Sequence, residues 1–228
     1  MRFSEWEPVY IEIMKDLGID RTSDEASARS LKMLTLNSDM VSEESLGRMI
    51  GTDVVVVGGN ISSDDLNKLA EITLDKAGKR RTMISAGSAT DTLVANGIIP
   101  DIVVTDLDGD AEMQKKASSS GSLTVVHAHG DNADLILKHA KDLKGPIIIT
   151  TQSAPDLSLC NFGGFTDGDR AVCMARHFGA KRITLIGFDL EKPAYKQGTD
   201  IEMKKKKLRW AKTIIFDMNP AGVDITVL

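Results

Sequence analysis

The chain lacks most of what would mark it as extracellular, membrane-spanning or nucleic-acid-binding. Only two cysteines occur in its 228 residues, Cys160 and Cys173, too far apart for a Cys-x-x-Cys pair. They allow at most one disulfide and, by themselves, no zinc site. Reduced cytosolic thiols, packed as small hydrophobes rather than used as nucleophiles, are the simpler expectation. Long apolar runs are missing too. Val54 to Val57 and Ile147 to Ile149 fall far short of the ~20 residues that cross a bilayer. The opening Met1-Arg2-Phe3-Ser4-Glu5-Trp6-Glu7 has no apolar stretch of the secretory kind, so a cytoplasmic protein with no membrane partner is expected. A net charge of −5 excludes a large nucleic-acid footprint, which needs a basic surface. The local exception is Lys204 to Lys207, followed by Arg209 and Lys212. It reads either as a solvated helix face or as a cationic rim facing a polyphosphate. No Gly-x4-Gly-Lys-Ser/Thr loop is present, and the glycines are too sparse for a dinucleotide fingerprint.

What is present is the composition of an ordinary globular protein, 42% hydrophobic and 27% charged, long enough for one sizeable core. Residues 1–51 read as a helical segment packed on that core. Capping boxes are expected at Ser4…Glu7 and Thr22…Glu25, and a third short helix from Ser42 to Gly51. From residue 52 to 228 the texture becomes α/β. Short β-branched runs, Asp53-Val57, Thr82-Ala86, Ile102-Thr105, Leu123-Val126, Ile147-Thr150, Ile183-Ile186 and Val223-Val227, are apolar at consecutive positions, as strands covered on both faces must be. Amphipathic helices separate them. Ser62 and Asp65 open one with the stripe Leu66, Leu69, Ala70, Leu74 and Ala77, and Thr166 with Asp169 opens another carrying Ala171, Val172, Ala175 and Phe178. Such alternation predicts a mostly parallel, Rossmann-like sheet with helices on both faces.

Ligands of an open parallel sheet bind beyond the carboxyl ends of its strands, and there the unusual residues collect. Gly58-Gly59-Asn60, Gly87-Ser88, Asp106-Leu107-Asp108-Gly109-Asp110, His129-Gly130-Asp131-Asn132, Gln152-Ser153 and Gly187-Phe188-Asp189 each follow an apolar run. Side chains alternate along a strand, so Asp106 and Asp108 should share a side, with Asp110 beyond them. Like charges so close call for a proton or a hard cation. Mg2+ takes one or two carboxylates and completes its shell with water and phosphate. A turn with a capping aspartate explains Asp108 and Gly109 but not Asp106 one pleat earlier. His127 and His129 also share a side, and are either a pair of metal ligands or, for His129, a hydrogen-bonding partner of the ligand. The glycines at 58, 59 and 87 allow backbone to approach phosphate, with tight-turn packing the equal alternative.

The run from Ala86 to Thr90, followed by Asn96-Gly97-Ile98-Ile99-Pro100-Asp101 and the strand into Asp106-Leu107-Asp108, resembles the core motif of the thiamine pyrophosphokinase superfamily. Thr105 to Gly109, His127-Ala128-His129-Gly130-Asp131-Asn132 and Phe165-Thr166-Asp167-Gly168-Asp169-Arg170 resemble one branch more closely, the archaeal 6-hydroxymethyl-7,8-dihydropterin pyrophosphokinases. The likeness runs from about Val54 to Leu190. Departures from thiamine pyrophosphokinase proper, in the first loop and around Gly163-Gly164, argue against thiamine. The resemblance implies transfer of diphosphate from ATP to a hydroxymethyl-pterin with release of AMP, in a cytoplasmic enzyme that forms a homodimer. It implies Mg2+ held by Asp106, Asp108 and Asp131, with Asp134 acting through water. It further implies nucleotide phosphates near Gly58, Gly59, Asn60, Gly87, Ser88 and Arg170, and a pterin near His129, Asn132, Phe165, Thr166 and Asp167. For Arg170 a plain salt bridge with Asp167 or Asp169 is the alternative.

Two rivals stand beside this reading. A haloacid-dehalogenase-type phosphatase also places Asp-x-Asp-Gly after an apolar strand and would use Asp106 as nucleophile. Here Asp110 occupies the next position, two predicted strands precede the motif, and no downstream lysine motif follows. A non-catalytic nucleotide-binding module is the other rival.

Overall fold

A computed structural model describes residues 1–74, 77–192, 200–219 and 222–228. Three helices come first: α1 (Phe3–Leu17), α2 (Arg21–Leu34) and α3 (Glu43–Met49). An alternating series follows: β1 (Asp53–Val57), α4 (Ser63–Ile72), β2 (Thr82–Ala86), α5 (Ala89–Ala95), β3 (Ile102–Thr105), α6 (Ala111–Ser119), β4 (Leu123–Ala128), α7 (Ala133–His139) and β5 (Ile147–Thr151). The chain ends with α8 (Asp167–His177), β6 (Arg182–Ile186), α9 (Ile201–Lys212) and β7 (Asp224–Val227). The seven strands form one sheet in the order β5-β4-β3-β2-β1-β6-β7, and every pairing is parallel. The expected α/β fold is therefore observed, with all seven strand runs in place.

The central strands explain why the sheet holds together. β1, β3, β4 and β5 are buried at every position, and stiff β-branched side chains fill the pleats on both faces. β4 runs two residues past its apolar run, through His127 and Ala128. The strand order grows outward from β1 to β5 and then returns to the other side of β1 with β6. A crevice therefore opens where the β1 and β6 carboxyl ends diverge from their connections.

Local signals at the helix ends fare unevenly. Ser62 and Asp65 form the expected capping box of α4, but Leu74 and Ala77 lie beyond that helix, where Leu74 instead bridges Arg80. In α1 the box falls at Arg2 and Glu5 rather than Ser4 and Glu7, with the Arg2 amide donating to Glu5 Oε2 at 2.7 Å. In α2 the cap is Asp20, whose carboxylate accepts from the Thr22 amide. Carboxylates outrank threonine here as acceptors for exposed helix amides. Ser42 caps α3 as expected.

The N-terminal helices dock on two surfaces. Trp6, Tyr10, Ile13 and Leu17 of α1 are buried with Phe165, Cys173 and Ile214. Ala28 and Leu31 of α2 are buried with Val126 and Ala128 of β4 and Ile147 and Ile149 of β5. This docking carries the α1–α2 turn to the carboxyl edge of the sheet. Both cysteines are free and buried, and burial pushes the Cys160 thiol up to about 12, as inert packing residues require.

Candidate active site

The pair Asp106 and Asp108 does face one cavity, although the pleat is not the reason. β3 stops at Thr105, and Leu107 turns into the left-handed region at φ 69°. That conformation is costly for a branched side chain and occurs where surrounding structure imposes it. The Leu107 side chain is anchored among buried apolar residues, its amide donates to Thr105 Oγ1 at 2.9 Å, and the Asp108 amide donates to Asp106 Oδ1 at 3.2 Å. The turn thus throws both carboxylates to the same side. Asp110 does not join them. Its carboxylate caps α6, accepting from the amides of Glu112 and Met113.

Asp106 is held from two directions. His129 Nε2 stands 3.3 Å from Asp106 Oδ2, while His129 Nδ1 accepts the Asp131 amide at 3.3 Å. This network assigns the proton to Nε2, so His129 donates to the carboxylate. From the other side, α8 brings Asp167 and Arg170, whose Nη1 meets Asp167 Oδ1 at 3.0 Å. Burial, followed by the facing charges of Asp106 and Asp108, pushes the Asp167 carboxyl well above the ordinary range against the pull of Arg170. Burial also works against the Asp106 charge, but His129 and Arg170 outweigh it and keep Asp106 ionised. Arg170 is buried and donates from Nη2 to the Phe165 carbonyl at 2.5 Å and to Gln152 Oε1 at 3.4 Å. Asp169 instead accepts from the amides of Phe165 and Thr166, both at 2.7 Å, so Asp167 is the salt-bridge partner of Arg170.

His127 belongs to the sheet rather than the cavity. It is buried, its Nδ1 lies 3.0 Å from Thr150 Oγ1, and Nε2 finds no hydrogen-bond partner among the described residues. Burial holds its pKa well below 6.5, so the folded state keeps it neutral while the unfolded chain protonates it as pH falls through about 6.5. Its contribution to stability is present above that pH and lost below it, by up to about 1.4 kcal/mol per pH unit. Urea titrations between pH 7 and pH 5 are therefore expected to show a flatter pH dependence for His127→Asn than for the unaltered chain. Equal slopes would contradict this.

The glycine loops divide between packing and site. Gly87, at φ 55°, sits where a Cβ would come 3.0 Å from Asp167 Oδ2, so only glycine lets α8 approach the end of β2. Gly59, Asn60, Gly87 and Ser88 line the same cavity, of about 810 Å3, as Asp106, Asp108, Asp131, Asp167 and Arg170. Gly58 does not line it. A Cβ there would lie 2.6 Å from the Gly187 carbonyl oxygen and 2.8 Å from the Phe188 ring, so Gly58 lets β1 and β6 close together and the expected phosphate role is corrected to packing. Gly58→Ala is expected to cost about 1–3 kcal/mol through this overlap. An unchanged melting temperature would contradict it.

Two more expectations are corrected. Asn132 is buried and spent within the protein: its Nδ2 donates to the carbonyls of Asp106 at 2.8 Å and His127 at 2.7 Å, while Oδ1 accepts the His129 amide. It ties β3 to β4 and has no edge left for a ligand. Asp134 lies in the first turn of α7 and outside the cavity lining. His129, Phe165, Thr166 and Asp167 do reach the cavity. So do Lys204 and Lys207, one turn apart on α9, whereas Lys205 and Lys206 pair with Glu202 and Asp16. The run therefore serves both readings at once, a cationic wall and a solvated face.

Residues with no signal in the sequence complete the site. Ile19, Asp20, Ser23 and Asp24, from the α1–α2 turn and the start of α2, line the cavity. Asp24 is buried and accepts from the Tyr10 hydroxyl, from Gln152 Nε2 at 2.6 Å and from the Gly130 amide at 2.7 Å. Nothing in their spacing marks them, because a tertiary contact brings them here.

As to a metal, Asp106, Asp108 and Asp131 offer hard oxygen donors to one cavity. Among the described residues no three of His, Cys, Asp and Glu are grouped to hold an ion by themselves. The crowding of Asp106, Asp108 and Asp167 and this open set fit Mg2+, which keeps waters and shares its shell with phosphate, better than a closed zinc site.

Fold and candidate site together define the class: an α/β protein whose parallel sheet carries, beyond the carboxyl ends of its strands, a cavity lined by carboxylates, glycines and a buried arginine. The chain belongs to the 6-hydroxymethylpterin diphosphokinase MptE-like family, whose model matches residues 32–194. It is 38% identical over 230 residues to the 6-hydroxymethyl-7,8-dihydropterin pyrophosphokinase of Methanocaldococcus jannaschii, covering 94% of this chain and 95% of that one. The protein of the same name from Pyrococcus furiosus is 37% identical, with 94% and 93% covered. That from Methanothermobacter thermautotrophicus is 40% identical, with 83% and 79% covered. Among solved structures, the MAf glycosyltransferase of Magnetospirillum magneticum AMB-1 superposes with a TM-score of 0.52 at 18% identity, over 78% of this chain and 33% of that one. At that identity the likeness concerns the fold alone.

Proposed function

We propose that this chain transfers the terminal diphosphate of ATP to the hydroxymethyl group of 6-hydroxymethyl-7,8-dihydropterin, releasing AMP, in a Mg2+-dependent reaction of the cytoplasm. The observation that carries the reading is the Asp106–Asp108 turn facing one cavity with Arg170 and the Gly59 and Gly87 loops, in a member of this family.

Transfer between oxygens asks for in-line positioning and charge neutralisation, with little covalent work for the protein. Asp106, Asp108 and Asp131 would hold Mg2+, which when bound draws off charge from the phosphate oxygens. His129 keeps the Asp106 carboxylate aimed by donating to it. The amides of Gly87 and Asn60 are already bonded to the Val104 and Gly187 carbonyls, so the Gly59 and Gly87 loops serve by letting the phosphates approach closely, and Ser88 adds a hydroxyl. Arg170, already fixed by Asp167 and the Phe165 carbonyl, presents a guanidinium whose cost of ordering has been met by folding. Lys204 and Lys207 face the same charge from α9. Phe165 offers the acceptor a flat apolar surface, and Thr166 and Asp167 a polar edge.

The test is the fate of the label in ATP carrying 32P at the β position. Label appearing on the pterin, with unlabelled AMP and a requirement for Mg2+, agrees with diphosphate transfer. Labelled ADP with monophosphorylated acceptor would overturn it.

A further inference from the structure

Besides α8 and α9, two sets of elements line the cavity around Asp106 and Asp167. One is built by the loops after β1 and β2: Gly59, Asn60, Gly87 and Ser88, with Lys192 beside Asp189. Its two glycines carry no side chain, and a Cβ on Gly87 would lie 3.0 Å from Asp167 Oδ2. The other set is built by the N-terminal helices and the loop after β4. Ser23 packs so closely on Gly130 that a Cβ on Gly130 would lie 2.7 Å from the Ser23 Cβ, and the Gly130 amide is fixed by Asp24. His129, the preceding residue, reaches Asp106, so this wall runs without a break from α2 to the paired carboxylates. It presents the carboxylates of Asp20 and Asp24 and the apolar side chain of Ile19, with Asp131 at its metal-facing end.

In-line transfer requires donor and acceptor on opposite sides of the reacting phosphorus. The glycine set suits the close approach of the donor phosphates. The carboxylates of Asp20 and Asp24, which hold no metal in this reading, accept hydrogen bonds from the N–H edge of an uncharged heterocycle. Asp24 is also preorganised: Tyr10, Gln152 and Gly130 all donate to it, so its orientation costs nothing at binding. The same Gln152 receives Arg170, which links this set to the charge pair at the centre.

The geometry points to the α1–α2 turn and the start of α2 as the acceptor-ring subsite, with Asp24 and Asp20 reading ring N–H donors and Ile19 covering the ring. The inference rests on the diphosphate-transfer reading and adds to it that the N-terminal helices are part of the site and select its acceptor.

Ser23 is exposed on α2, so Ser23→Trp fills this part of the cavity without entering the core. The expected result is a rise of at least about tenfold in KM for the dihydropterin, with unchanged calorimetric affinity for Mg2+ and the non-hydrolysable analogue α,β-methylene-ATP. Loss of analogue affinity with an unchanged acceptor KM would place the nucleotide here and overturn the inference, and so would no change in either. Hydrogen exchange on the unaltered chain gives a second measurement that needs no variant. The dihydropterin should slow amides of residues 19–25 and the nucleotide analogue should not; the reverse, or no protection by either, overturns the subsite. Failure of the underlying reading shows separately, as absence of AMP from the unaltered chain given the dihydropterin, and would remove both.

Discussion

Asp106→Asn is expected to lower kcat by at least about a thousandfold, the equivalent of ~4 kcal/mol of lost transition-state stabilisation, without unfolding the protein. Asparagine keeps the size of the side chain and can still accept the Asp108 amide that the Asp106 carboxylate accepts in the turn. It gives up the charge that His129 and Arg170 stabilise while relieving the crowding at Asp167, so the melting temperature should fall by no more than a few degrees. Asp108→Asn, at the exposed rim of the same turn, should behave alike in rate. Steady-state rates together with thermal melts check both parts. Near-normal turnover in either variant would refute the assignment of this turn to metal and phosphate. A collapsed melting temperature would instead make the pair structural.

The second large effect concerns stability as well as rate. Arg170→Ala is expected to destabilise the fold by about 3–5 kcal/mol, because it strands groups that now depend on the guanidinium. Asp167 would lose its salt bridge, and the Phe165 carbonyl and Gln152 would lose donors. At this chain length such a loss corresponds to a fall of roughly 10 °C or more in melting temperature. Arg170→Lys keeps the charge but cannot serve Asp167, Phe165 and Gln152 together through a planar fork. It should recover part of the stability and little of the rate. An Arg170→Ala variant that melts with the unaltered chain would show the network to be dispensable.

The parts of this molecule legible in its sequence are those set by local pattern. Short apolar, mostly β-branched runs announced the strands. β1, β3, β4 and β5 are buried at every position as that pattern implies, whereas β7, expected to be covered on both faces, lies largely exposed at the sheet edge. The carboxyl-edge loops announced the site, because polar and glycine residues there interrupt apolar runs. That Asp106 and Asp108 face one cavity was expected for a partly mistaken reason. The alternation argument assumed a strand, whereas Leu107 at φ 69° makes a turn, and no local pattern predicts a leucine in that conformation. The same assumption drew Asp110 toward the pair, although a short side chain at a helix start is better used as a cap.

Asn132 looked like a ligand group because its loop is a ligand loop, yet three of its hydrogen bonds are spent bracing β3 against β4. Gly58 looked like its neighbour Gly59, and only the approach of Gly187 and Phe188 separates them. Asp24 and Ile19 were out of reach altogether. Their place in the cavity comes from the docking of α1 and α2 on the core, a contact between residues more than a hundred positions apart, and a single sequence carries no pattern for such a pairing.

The most direct test of the central claim is turnover with ATP and Mg2+ in two parallel tubes, one given 6-hydroxymethyl-7,8-dihydropterin and the other thiamine, with AMP followed by chromatography. The account predicts AMP in step with diphosphorylated pterin in the first tube and none above background in the second. AMP with thiamine alone, or no AMP in either tube while phosphomonoesters release inorganic phosphate, would contradict it.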